Sequence, residues 1–292
     1  MLGPLSLWLD HAPLSQLRQS RGAAAQAVLG AAGAGVQRVD AAGVPAEWHT
    51  PAEAAATGPT LLYLHGGGWT LGLYAGHRHL VAELSRGLRR PVLAVDYRLA
   101  PEHPFPAGLE DCLTAYRWLL RQGLTPDEIF IGGDSAGGNF TLALLLQLKA
   151  AGEPLPAGGV CLSPAVDLVR GDDWRRVRDP LLPMAFAERL RAQYVGENDP
   201  RDPRLSPLYG DLRGLPPLLI QVGEAELLHD SARRFAEQAR AAGVAVQFEA
   251  YPAMWHVWQL LAPWLPEARA ALASIGRFVA ERRLQLEAEA RA

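Results

Sequence analysis

This sequence predicts an α/β fold with a mostly parallel sheet covered by helices on both faces. Short apolar runs alternate with helix-length segments from about residue 60 onward. Most of the runs are apolar on both faces, without the in-out alternation of a half-exposed strand, so both faces of the sheet are expected to be covered. The chain has 292 residues, 49% of them hydrophobic, enough for one large core.

The elements follow in order. The stretch to about Gly35 is alanine-rich and helix-compatible, and a strand pair is predicted near Val36 to His49. Pro and Gly between Ala52 and Pro59 mark a loop rather than a domain linker. Strands are expected at Leu61–Leu64, Val92–Val95, Ile129–Ile131, Gly159–Leu162, Leu218–Val222 and Val246–Ala250. Between them, His77–Arg89, Gly108–Gln122, Asn139–Ala151 and Ser231–Ala242 have helical period and length. A last helix is expected from Pro266, with a charged end at Ala292. Two regions break the alternation: the N-terminal stretch to about Gly35 and a second, later one. Arg170 to about Tyr209 is rich in Arg, Asp and Pro, with a single helix-like piece at Ala185–Tyr194. A long irregular insertion in a compact domain reads as a lid or binding segment.

Composition narrows the function. The formal net charge is −3 and 20% of residues are charged, so a nucleic-acid partner is not expected. Lys149 is the only lysine; with the many Ala and Gly, this reads as compositional bias rather than a binding signature. No apolar run approaches the roughly 18 to 20 residues of a membrane span, so no membrane insertion is expected. Met1 to Asp10 shows neither a basic n-region nor a long apolar stretch, which predicts a cytoplasmic protein. Cys112 and Cys161 lack metal-ligand spacing and are read as buried free thiols in a reducing compartment; no metal or cofactor is expected.

The chemistry lies in the glycine motifs. Gly133-Asp-Ser-Ala-Gly137 matches G-x-S-x-G after a predicted strand and before a predicted helix, the context of a nucleophile elbow. A sharp strand-to-helix turn presents Ser135 Oγ in a strained backbone, so its neighbours must be small, and the N–H of Ala136 is an oxyanion donor. His65-Gly-Gly-Gly-Trp69 follows another strand, and its glycines leave backbone N–H groups able to face a developing oxyanion. Of eight histidines, only His256 lies in a loop after the last strand, the place for a general base. His229, beside Asp230, reads as an exposed loop residue, and His65 as an organiser of the glycine loop. Three carboxylates compete to orient the base: Glu224, Glu226 and Asp230. Asp230 precedes a helix and reads as an N-cap or first-turn residue. The choice between Glu224 and Glu226 stays open on these grounds.

Together, His65-Gly-Gly-Gly-Trp69, Asp96-Tyr-Arg-Leu-Ala-Pro-Glu-His-Pro-Phe-Pro106 and Gly132-Gly-Asp-Ser-Ala-Gly-Gly-Asn139 resemble the hormone-sensitive-lipase-like esterases, bacterial lipolytic family IV. Ser163-Pro-Ala-Val-Asp-Leu168 and Pro252-Ala-Met-Trp-His256 fit as well. The resemblance implies an α/β-hydrolase fold, a mostly parallel eight-stranded sheet with helices on both faces and a helical cap, here from about residues 1–35 and 170–209 of a single domain. It implies cofactor-free hydrolysis of short- to medium-chain carboxylic esters, with Ser135 as nucleophile, His256 as base, and Gly67, Gly68 and Ala136 as oxyanion donors. The family's usual acid motif begins with Asp; here Glu226-Leu-Leu-His-Asp230 occupies it. That departure resembles a Glu-acid subgroup containing acetyl-hydrolases and monoterpene lactone hydrolases, and assigns Glu226 to orient His256.

Among aromatic residues, Trp69, Trp255 and Trp258 are candidates to line the substrate pocket, against plain packing roles, and Trp174 lies in the insertion. Asp167 and Glu102 are expected to hold loops, and Arg98 to make a structural ion pair. A lactone, small-amide or acetyl hydrolase on the same triad is the alternative activity. A non-catalytic receptor on this fold is disfavoured because Ser135, Glu226 and His256 are all present. The partners expected are a small-molecule ester and, as the one association considered, a homodimer.

Overall fold

The computed structural model describes residues 11–20, 35–55, 57–169, 179 and 181–291. One sheet contains eight strands: β1 (Gly35–Asp40), β2 (Pro45–Thr50), β3 (Thr60–Leu64), β4 (Val92–Val95), β5 (Ile129–Asp134), β6 (Gly158–Leu162), β7 (Leu218–Gly223) and β8 (Val246–Tyr251), ordered β1-β2-β4-β3-β5-β6-β7-β8. Only β2 runs against its neighbours; every other adjacent pair is parallel. The helices are α1 (Ala75–Leu88), α2 (Ala107–Arg121), α3 (Ala136–Ala150), α4 (Met184–Val195), α5 (His229–Ala241) and α6 (Pro266–Glu289).

Strand pleating sorts the core into two layers. Leu62, Leu64, Leu93, Val95, Ile129, Ile131, Ile220 and Val222 point to one face, where α2, α3 and α5 cover them. Leu61, Tyr63, Val92, Ala94, Phe130, Val160 and Leu219 point to the other, against Leu80, Val81 and Leu84 of α1 and Ile275, Phe278 and Val279 of α6. Continuous apolar strands follow from this two-sided cover. The helices show the matching contrast. On α5 the buried positions are Ser231, Ala232, Phe235, Ala236 and Ala239, one stripe at helical spacing. α3 is buried on nearly every side, from Ala136 to Leu148, because it runs behind the elbow in the middle of the layer.

Cys112 on α2 and Cys161 on β6 are both buried and unpaired. Among the described residues no helix is long and apolar enough to cross a membrane. The two irregular regions meet. Ala12 and Leu17 share a small apolar cluster with Leu71 and with Phe186 and Leu190 of α4. Arg18 adds polar ties, donating to Thr70 O at 2.8 Å and pairing with Glu102 at 2.9 Å. Residues 1–10, 21–34 and 170–178, with the candidate Trp174, lie outside the described residues.

Two boundaries differ from expectation in an instructive way. β5 runs on to Asp134 and α3 begins at Ala136, so Ser135 alone makes the strand-to-helix turn. Gly132 and Gly133 keep their pairing with Tyr63 and Leu64 on one side and Val160 and Cys161 on the other. Glycine's weak strand preference is overridden by a place between two central strands.

Candidate active site

Sheet register brings the motifs together. Leu64 pairs with Gly133, Asp134 with Leu162, and Gly223 with Tyr251. The segments that leave these parallel strands therefore emerge side by side at their carboxyl ends, where ligands bind in open α/β sheets. His65, Ser135, Ser163, Glu226 and His256 all follow such ends.

Ser135 adopts φ 54° and ψ −113°, a conformation L-residues rarely hold. It is maintained from both sides: Ser135 N–H donates to Leu162 O at 2.8 Å, and Ser135 O accepts from Asn139 N–H at 3.0 Å. The turn closes only on glycine. A Cβ at Gly137 would lie 1.8 Å from Leu64 O. Asp134 is buried beside the nucleophile and accepts from Tyr63 Oη at 2.5 Å and from Gly66 N–H at 2.9 Å, with His77 Nε2 at 3.4 Å. Burial pushes this carboxyl upward, but His77, Tyr63 and the Gly66 N–H outweigh it and hold the carboxyl below its ordinary range.

His65 does not point at Ser135. Its ring stacks on Tyr97 with centroids 4.1 Å apart, and its Nδ1–H donates to Gly66 O at 2.7 Å. Burial, reinforced by nearby His77, pulls its pKa down to about 3, so the ring is neutral. The consequence is geometric. In a trans peptide the C=O and the following N–H point in opposite directions, so fixing Gly66 C=O on His65 turns the N–H of Gly67 away from that ring. Gly67 O is fixed likewise, by Leu71 N–H at 3.0 Å and Thr70 N–H at 3.2 Å, which orients the N–H of Gly68. Among the described residues no hydrogen bond occupies the N–H groups of Gly67, Gly68 or Ala136.

His256 Nε2 stands 2.9 Å from Ser135 Oγ. On its other side Nδ1 lies 3.9 Å from Glu226 Oε1, an ion-pair separation longer than a hydrogen bond. Neither atom has a hydrogen-bond partner among the described residues. Catalytic hydrogen bonds are often long before substrate binds and tighten afterwards. Burial pulls the His256 pKa down, but Glu226, helped by Asp179 and Asp134, outweighs it and the net shift is upward. Glu226 is fully buried, whereas Glu224 is exposed. Backbone bonds explain the split: Glu224 N–H donates to Tyr251 O and Ala225 N–H to Met254 O, both at 3.0 Å, so the chain turns Glu224 outward before Glu226 enters.

Other sequence-predicted residues settle into packing. Trp258 is fully buried in a cluster with Met254, Ala268 and Ala271, so its indole belongs to the core and not to a surface open to substrate. Trp69 is also buried and stacks on Tyr194 of α4 at 4.5 Å. Trp255, next to His256 in the chain, is partly exposed and packs against the same cluster as Trp258. Asp230 is not the N-cap. Leu228 precedes α5, and Asp230 is an exposed first-turn residue 3.4 Å from His229. Arg98 pairs with Asp111 at 2.8 Å, the structural ion pair expected of it, and Asp167 takes Arg234 at 3.1 Å. Ser163, 63 residues before Glu226, donates to Glu226 Oε2 at 2.7 Å. Nothing in its local sequence marks that contact.

The chain matches the family described by the alpha/beta hydrolase fold over residues 61–260. It is 48% identical over 237 residues to an acetyl-hydrolase of Streptomyces hygroscopicus, covering 80% of this chain and 79% of that one. An esterase of Acinetobacter venetianus is 40% identical over 247 residues, 83% of this chain and 81% of its own. Among solved structures, an esterase from the bacterial hormone-sensitive lipase family superposes with a TM-score of 0.89 at 40% identity, over 97% of this chain and 98% of that chain. With this fold and this juxtaposition of serine, histidine and carboxylate, the chain belongs to the alpha/beta hydrolase fold family. Within it, the chain is a hormone-sensitive-lipase-like esterase, a carboxylesterase-type hydrolase.

Proposed function

We propose that the protein hydrolyses short- to medium-chain carboxylic esters through an acyl-enzyme on Ser135, with His256 as base and Glu226 as its orienting acid. The observation that carries this reading is His256 Nε2 at 2.9 Å from Ser135 Oγ. Neutral His256 takes the Oγ proton as Oγ attacks the ester carbonyl. The oxyanion forms against the N–H groups of Gly67, Gly68 and Ala136, each donor contributing roughly 2.7 to 4 kcal/mol to the transition state. His256 returns the proton to the leaving alcohol. Water then enters by the same route, and the acid is released. Glu226 stabilises the imidazolium that forms in each half-reaction without itself taking the proton.

Small acyl groups are favoured by two observations. A relative is an acetyl-hydrolase, and Leu190 of α4 lies so close over Gly68 that a Cβ there would meet Leu190 Cδ1 at 2.3 Å. In this reading residues 1–35 and 170–209 form the cap of the single domain, supported by the shared cluster of Ala12, Leu17, Phe186 and Leu190, and Trp255 faces substrate. A cytoplasmic location belongs to the same proposal, in keeping with the unpaired Cys112 and Cys161. Ser135→Ala should abolish turnover of p-nitrophenyl acetate and butyrate; wild-type-like rates would sink the assignment. A panel of esters, lactones and amides then ranks the leaving groups.

A further inference from the structure

Ser163 follows β6 directly, and we propose that it is a positioning residue whose single hydroxyl holds both Glu226 and the His256 loop. The proposal rests on the Glu226–His256 assignment above. Ser163 Oγ–H donates to Glu226 Oε2 at 2.7 Å, and the same Oγ accepts the N–H of Val257 at 3.2 Å. A hydroxyl carries one hydrogen and two lone pairs, so it donates and accepts at once. Its own backbone N–H donates to Gln221 O at 2.7 Å, on β7, the strand that leads to the acid. One buried residue thus joins the end of β6, the acid and the residue after the base.

The arrangement leaves Glu226 a single oxygen for catalysis. Oε2 receives a second donor, the N–H of Gly223, at 3.1 Å. Oε1 has no hydrogen-bond partner among the described residues and faces His256 Nδ1. Glutamate has one more side-chain torsion than the aspartate usual at this position, and that extra freedom must be removed to aim the carboxylate. Two donors on Oε2 remove it. Both ends of the bridge sit in strained backbone: Ser163 at φ 49° and Val257 at φ 51°. Such conformations persist only where surrounding bonds enforce them, and here they direct Oγ and the Val257 N–H towards one another.

Ser163→Gly isolates the hydroxyl. Glycine accepts a positive φ without strain and keeps the N–H to Gln221. We expect kcat for p-nitrophenyl butyrate to fall on the order of 10- to 100-fold with KM within about twofold, the split of an interaction that positions reacting groups. Ser163→Ala, which keeps a side chain, should show the same kcat loss and serves if the glycine variant folds poorly. In a Glu226→Gln background, deleting the hydroxyl should cost far less than in wild type. Equal losses in both backgrounds, or wild-type kcat in the soluble Ser163 variants, would overturn the proposal. Wild-type kcat in Glu226→Gln alone would instead overturn the triad reading on which it rests.

Discussion

At the scale of single residues, burial separates acids that the sequence leaves side by side. Glu224, Glu226 and Asp230 lie within seven residues, yet only Glu226 is buried against the base. Glu226→Gln should therefore cut kcat by orders of magnitude, while Glu224→Gln leaves it near wild type; steady-state kinetics on both variants checks the ranking. Asp230→Asn should cost less than about 1 kcal/mol in urea unfolding, because it removes a first-turn charge near the helix dipole and exposed contacts to His229 and Arg233, but no cap. The acid limb of kcat/KM has a defined sign. In the proposed mechanism His256 works as a neutral base, and Glu226, with Asp179 and Asp134, raises its pKa despite burial. Activity should thus fall as pH drops through a point above the unperturbed histidine value of about 6.5, as a pH–rate profile will test.

At the scale of elements, the glycine loop after β3 is held by its carbonyls rather than by its own stiffness. His65 fixes Gly66 O, and Thr70 and Leu71 fix Gly67 O, which aims the donors between them. Gly66 is pressed so close to Asp134 that a Cβ would lie 2.1 Å from Oδ2. Gly66→Ala should accordingly separate the loop from the elbow and lower kcat more than 100-fold, a loss comparable to removing an oxyanion donor; circular dichroism and a thermal melt check that the variant is folded. The carbonyl locking was legible in the sequence only as a glycine-rich motif after a strand. The Asp134 contact was not, because it joins residues 68 positions apart through sheet register.

For the whole molecule, a central sheet sandwiched between two apolar layers makes the site a product of strand order. β3, β5, β6, β7 and β8 lie in sequence across the sheet, so their carboxyl ends line up in the order glycine loop, Ser135, Ser163, Glu226, His256. Phe130, fully buried on β5, packs edge-on to Phe278 of α6 at 6.1 Å. Phe130→Ala should destabilise the protein by about 3 to 5 kcal/mol, the range for a large buried aromatic, read from denaturant unfolding. Strand and helix positions were legible because their apolar period reflects burial on two faces. The role of the insertion's helix was not. Leu190 meets Gly68 only after α4 folds back over the loop.

The sequence by itself determined the fold class, the G-x-S-x-G turn, the glycine loop and the late histidine as the candidate base, because each depends on local constraints: apolar periodicity, small residues at a tight turn, and order along the chain. Tertiary structure supplied the burial that separates Glu226, already singled out by the family resemblance, from Glu224, and it alone stacked Trp69 on Tyr194, enclosed Trp258 in a core cluster and brought Ser163 against Glu226. Those outcomes depend on which surfaces the parallel register brings together and on which of them it shuts away from water, and neither is encoded in the spacing of neighbouring residues.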